Sequence, residues 1–472
     1  MNVSGSEYLK KNKPLYQKLL TKLLDRYPYA SILAADGKER SYSISGRGVS
    51  IQDSQRFGRR GFVVRVHDGD GWGEYAANQL TEETIPAVLY ELAHSLGAMA
   101  PGVKRVSSPL PEEEPIRFHE STEYLIHPEE LGDEAIVNRL RGIREHAMAQ
   151  DDRIIDATLR FDYQVYHKLF LSKEKNMEQD VMWSSSALLV LAARGEEIKD
   201  VYRSYSNLGG AEVLGRMDED VEDAAKTVLE LLESEPMIPG EYDCICTPEV
   251  TGMIVHEAFG HGVEMDMFVK DRALARSYIG KEVASPLVNM HDGAAAAKEV
   301  ASYFFDDEGN PAQDTLIIEK GVLKRGISDG VSAARLGTAP SGNGRRESVD
   351  HKVYTRMTNT FFEGGSDRVE DMIASIDYGM LLENPSSGME DPKNWGIQCM
   401  VSFAREIRNG RLTGKIFAPV VLTGYVPDLL KSISMISPTV ELGGGGACGK
   451  GYKEWVKVSD GGPWIKAKIR LG

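Results

Sequence analysis

The sequence predicts an α+β protein of two intimately packed parts: a mixed α/β half over 1–235 and a strand-rich half over 240–472 that carries a short, chemically loaded helix. Three observations predict it. Helical and strand patterns alternate before residue 100, glycine-punctuated hairpin signals dominate after 240, and Glu235-Pro236-Met237-Ile238-Pro239-Gly240 breaks the chain between them.

In chain order, residues 14–27 place leucines at helical spacing, and Phe62 to Val66 is an apolar run closed by Gly61 and by Asp68-Gly69-Asp70-Gly71. Thr81-Glu82-Glu83-Thr84 opens a second helix that extends to about Leu96. The acidic, proline-rich stretch Pro109 to Pro115 interrupts regular structure, and a polar-faced helix over 210–234 leads to the break. Beyond it, 316–323 reads as one hairpin and 398–421 as another, turning at Asn409-Gly410. Short helices fall at 331–336, 367–376 and 426–435, and no fixed-period repeat appears.

Composition removes several classes of function. At 472 residues, 42% hydrophobic and 27% charged, the chain has the balance of a multi-core globular protein. No apolar run is long enough to span a bilayer, and the N-terminus lacks the basic-then-apolar order of a secretory signal, so the expectation is cytoplasmic with no membrane partner. Four cysteines are too few for a disulfide scaffold. A net charge of −16 repels a polyanion, which argues against direct nucleic-acid binding.

The chemistry concentrates in Thr247 to Gly262, where Thr247 is placed to cap a helix, Pro248 suits its first position, and Gly260 and Gly262 are expected to end it. His256, Glu257 and His261 follow one another as in zinc peptidases, except that the histidines stand five residues apart instead of four. Five residues correspond to about 140° around a regular helix, so both imidazoles face one ion only if the last turn is widened or broken. Gly260 is expected to allow that distortion. The third ligand is expected to be Cys448, carried by the glycine loop around Gly443 to Gly446, with Lys450 favouring its thiolate. Two histidines and a cysteine leave a fourth position open, the arrangement of catalytic zinc. Glu257, about 100° around the helix from His256, is then free to serve as general base.

Several segments together resemble the TldD/PmbA family in its metal-binding, TldD-type form: His256 to Glu264, Ala284 to Val288, Asp306 to Gly309, Gly342 to Ser348, Arg356 to Thr360, and Cys448 to Gly451. The resemblance covers most of 240–472 and, more loosely, the first half. It implies a zinc-dependent peptidase acting on unfolded or leader-type peptides in a closed chamber, as a homodimer or with a metal-less PmbA/TldE-type relative. The family's description as a modulator of DNA gyrase reads as indirect, given the charge. Asp266 to Phe268 and Asp292 to Ala297 depart from the family pattern and bear on substrate preference.

Other motifs compete. Gly444 to Gly451 imitates a phosphate loop, but Gly451 stands where the magnesium-binding hydroxyl belongs. Gly326-Ile327-Ser328-Asp329-Gly330 fits a nucleophile elbow, which keeps a serine hydrolase using Ser328 as an alternative, beside a non-catalytic peptide-binding adaptor with structural or absent zinc. Arg345 and Arg346 are candidates to hold a substrate carboxylate, with His351 near the scissile carbonyl. Cys244 and Cys246 share one strand face and read as packing, and Glu264 is left without a defined role.

Overall fold

The computed structural model describes residues 1–54, 59–97 and 108–472. Among these, the first half forms an eight-stranded sheet whose centre is the long pair Ile154–Ser172 and Lys175–Arg194, joined by Tyr29–Ser45. It is antiparallel apart from Ile116–Ser121, which runs parallel to Lys175–Arg194. The first helix, Glu7–Leu24, starts earlier than the leucine spacing indicates. Ser6 accepts from Leu9 N to cap it, and burial of Tyr16, Leu19, Leu20 and Leu23 carries the helix through Pro14. The 210–234 stretch is not one helix. It breaks into a short turn, Leu214–Glu219 and Val221–Leu231.

In the second half, Tyr378–Asp391, Gly240–Cys246, Ile465–Leu471, Val420–Tyr425 and Gly396–Arg408 pair in that order, and the last pairs back with the first. A six-stranded sheet lies beside this ring, with Asn359–Phe362 parallel to Ser459–Gly462. The hairpins form where turn chemistry places them. Lys320 and Gly321 both have positive φ between Thr315–Glu319 and Val322–Leu323, as do Asn409 and Gly410 between Gly396–Arg408 and Arg411–Phe417. The helix Pro248–Ile254 packs between the two sheets, touching both Tyr378–Asp391 and Ser459–Gly462.

The halves share cores and charges. Phe403 and Ile416 join the apolar cluster under Phe161 and Leu188. Lys168 bonds Asp307 at 2.5 Å, Lys175 donates to Gly309 O at 2.8 Å, and Arg65 pairs with Glu308. The Asp306 to Gly309 segment is thereby seated against the first sheet.

Candidate metal centre

The motif helix begins as an ordinary α-helix with Pro248 at its start. Thr247 does not cap it: its hydroxyl is buried without a hydrogen-bond partner, and only its carbonyl takes part, accepting from Thr251 N. From Val255 to Gly260 the winding widens into a π-helical turn, then tightens into a 3₁₀ turn over His261–Val263. A widened turn is what histidines five residues apart need to share one side of a helix. Gly260 contributes differently from the expectation. It keeps right-handed dihedrals (φ −58°), and what it supplies is space, since a Cβ there would lie 2.2 Å from Met357 Sδ. The helical winding continues past Gly260 and ends at Val263, one residue after Gly262, where Glu264 turns extended.

The nitrogens of His256 and His261 and the sulfur of Cys448 lie within 4.8 Å of one another. Cys448 Sγ is 3.6 Å from His261 Nε2, and the two imidazoles meet edge to face with centroids 5.0 Å apart. Cys448 sits on a strand, not a loop: Ala447–Lys450 pairs with Glu454–Lys457, and Arg356 donates to the Cys448 carbonyl.

Burial alone would raise the Cys448 thiol, but the two imidazoles hold it well below its ordinary value. Reciprocally, the thiol raises both histidines against the opposing effect of burial. Lys450 acts elsewhere than expected, bonding Glu264 at 2.9 Å and Asp266 at 2.7 Å. Against the upward pull of burial, Lys450 and His261 together hold Glu264 down to about 2. Glu264 in turn lies 3.3 Å from His261 Nδ1, the position of a carboxylate that orients a metal-binding imidazole. The donor set is a thiolate and two imidazoles, suited to zinc, and His256 Nδ1 is buried with no protein partner.

Three further carboxyl groups surround this cluster. Glu257 lies against the bare backbone of Gly388, where a Cβ would come within 2.4 Å of its Cγ. Asp460 reaches the site because Ser459–Gly462 presses against the helix at Gly252, whose missing Cβ would be 2.8 Å from Asp460 Oδ2. Burial pushes Asp460 up to about 6, with His256 opposing and Glu257 and Cys448 adding to the rise. Glu390 is driven well up by burial, opposed by His261 and reinforced by Glu264 and Glu257, and both its oxygens lack partners. Asp460 and Glu390 escape sequence reasoning because neither belongs to a motif. Their only trace is an acid beside Gly461-Gly462 and another two residues after Gly388.

The remaining candidates are not brought to the cluster. Arg345 donates to the carbonyls of Met357 and Lys457, both at 2.7 Å, and Arg346 grips Glu74 and the His351 carbonyl. These guanidinium groups brace the fold instead of standing open to a substrate carboxylate. His351 bonds Ser348 at 2.8 Å, away from the histidine pair. Ser328 is fully buried and its hydroxyl accepts from Ser341 N, leaving no elbow exposed to a substrate. Cys244, Cys246 and Cys399 are buried free thiols, as packing residues should be.

Residues 239–469 match the family model of the PmbA/TldA metallopeptidase C-terminal domain. A metalloprotease TldD homolog from Buchnera aphidicola (subspecies Schizaphis graminum) is 30% identical over 350 residues, covering 71% of each chain. A zinc metalloprotease TldD homolog from Saccharolobus solfataricus is 25% identical over 416 residues, 87% of this chain and 90% of that one. The crystal structure of TldE from Thermococcus kodakarensis superposes with a TM-score of 0.76 at 18% identity, over 97% of this chain and 99% of the other. With that fold, that match across the half bearing the cluster, and that level of identity over two thirds of a relative, the chain belongs to the TldD/PmbA family of metallopeptidases.

Proposed function

We propose that this chain is a zinc-dependent peptidase that hydrolyses unfolded or leader-type peptides, with His256, His261 and Cys448 as metal ligands and Glu257 as general base. The observation that carries the reading is the convergence of two imidazoles and a thiol on one point, achieved by a π-helical turn that has no other evident use. A zinc ion held by His256, His261 and Cys448 would supply Lewis acidity toward the scissile carbonyl and the attacking water. The Glu257 carboxylate takes the proton of the attacking water and returns it to the leaving nitrogen. Glu264 keeps His261 in one orientation, and Lys450 keeps Glu264 ionised for that task.

Metal analysis of the purified chain combined with digestion of unstructured peptides tests this. Near-stoichiometric zinc and hydrolysis abolished by chelator are expected. Zinc retained without hydrolysis would put the peptide-binding adaptor in its place. The proposal extends to assembly as a dimer, with itself or with a metal-less relative as the family resemblance implies, and to a cytoplasmic location. Sedimentation of an active, stable monomer would remove that part of the proposal.

A further inference from the structure

A cleft of about 350 Å³ opens between the first sheet and the helices that follow the metal motif. That volume lies in the range of small-ligand sites. Trp72 and Tyr354 supply its aromatic walls, and Asp266 connects it to the metal centre, because Asp266 accepts from Lys450, two residues beyond Cys448 on the same strand.

The charges of the cleft are unevenly committed. Each acid in its wall is already answered by the protein. Glu308 is held by Arg65 and by Gly330 N, and Asp329 accepts from Ser332 and Thr355. Asp266 is shared by Lys450 and Lys270, and Glu74 by Arg65 and Arg346. Two cations are not so answered. Arg335 and Lys352 are exposed and, among the described residues, neither forms an ion pair with an acid. Lys352 lies over the ring of Tyr354, at 5.3 Å, and adds to the positive field that lowers Glu74 without forming an ion pair with it. In a chain of net charge −16, a cleft whose free charges are both positive stands out. Compensated acids and uncompensated cations leave a local field that attracts an anion.

We propose that this cleft is a substrate subsite that receives a carboxylate of the bound peptide, at its C-terminus or on an acidic side chain, through Arg335 and Lys352. The proposal rests on the peptidase reading above and names the part of the substrate that selects it. Arginine offers a paired fork to a carboxylate and lysine a point charge, and charge-assisted bonds of this kind hold best where a wall excludes part of the solvent.

The test uses the zinc-loaded full chain and four otherwise identical unstructured peptides: free or amidated at the C-terminus, each with an internal Glu or Gln. The expected result is a kcat/KM about tenfold higher for carboxylate-bearing peptides, expressed mainly in KM and weakened by salt. The comparison of the free-terminus Gln peptide with the amidated Glu peptide identifies which carboxylate is read. In the double variant Arg335→Glu, Lys352→Glu the preference disappears or reverses, while the amidated Gln peptide is cleaved as before and zinc content is unchanged. Equal kcat/KM for all four peptides in the native chain, or a preference that survives the double variant, would overturn the subsite. Fluorescence anisotropy of the same labelled peptides, read on the full chain carrying Glu257→Gln, measures the carboxylate preference without hydrolysis. Failure of catalysis as a whole is thereby separated from failure of the cleft.

Discussion

Cys448 Sγ stands 3.6 Å from His261 Nε2 across 187 residues of sequence. If this approach exists to hold zinc, Cys448→Ser lowers zinc affinity by at least about a hundredfold, measured by competition with a chromogenic chelator. In the zinc-free protein the depressed Cys448 thiol reacts fastest with iodoacetamide, because burial pushes Cys399 up to about 12 and raises Cys244 and Cys246 as well. Zinc is expected to protect it. Equal alkylation of all four thiols would contradict the assignment.

The π-helical turn is tested at Gly260, where any side chain meets Met357 Sδ. Gly260→Val costs about 1–3 kcal/mol through overpacking and reduces zinc occupancy, because the turn that aligns the two histidines must shift. Thermal unfolding and metal analysis read the two effects together. A destabilised variant with full zinc would show that alignment does not depend on this contact.

Glu257 is separated from the ligands by substitution. Glu257→Gln is expected to keep near-stoichiometric zinc and peptide binding while hydrolysis falls by about 10² to 10⁴. Loss of zinc in this variant would make Glu257 a ligand and move the search for the base to the other carboxyl groups at the site.

Lys457 gives a pH prediction independent of the metal. It is buried beside Trp183, its Nζ reaches only Gly445 O at 3.4 Å, and burial lowers its pKa from 10.5 to about 8, with Asp162 and Glu299 opposing. Between those values the unfolded chain carries a proton that the folded chain does not, so Lys457 makes stability rise with pH across about 8 to 10.5. Below pH 8 the full cost is present. Lys457→Met is therefore expected to raise stability at pH 7 by roughly 3 kcal/mol, an advantage that fades toward pH 10.5. Unfolding midpoints across this pH range measure it, and a variant advantage independent of pH would refute the titration.

The elements most legible in the sequence are those encoded within one segment. The Asn409-Gly410 hairpin and the short helices Gly330–Leu336, Val369–Ala374 and Val426–Lys431 all form close to where spacing and turn residues place them. The first helix and the 210–234 stretch were harder to bound. Tertiary burial extends one through Pro14, and the other divides into shorter turns.

At the site, the sequence by itself determined the helix, its His256-Glu257 pair, the need for a widened turn before His261, and Cys448 as the partner thiol. Only the tertiary structure decided that Lys450 answers Glu264 and Asp266, that Arg345 and Arg346 are consumed as braces, and that Asp460 and Glu390 stand beside the cluster. The physical reason is range. Helical period and turn chemistry act over a few residues and can be read locally, whereas a charged side chain is committed by whichever strand the sheet pairing lays against it, and that pairing joins residues far apart in the chain.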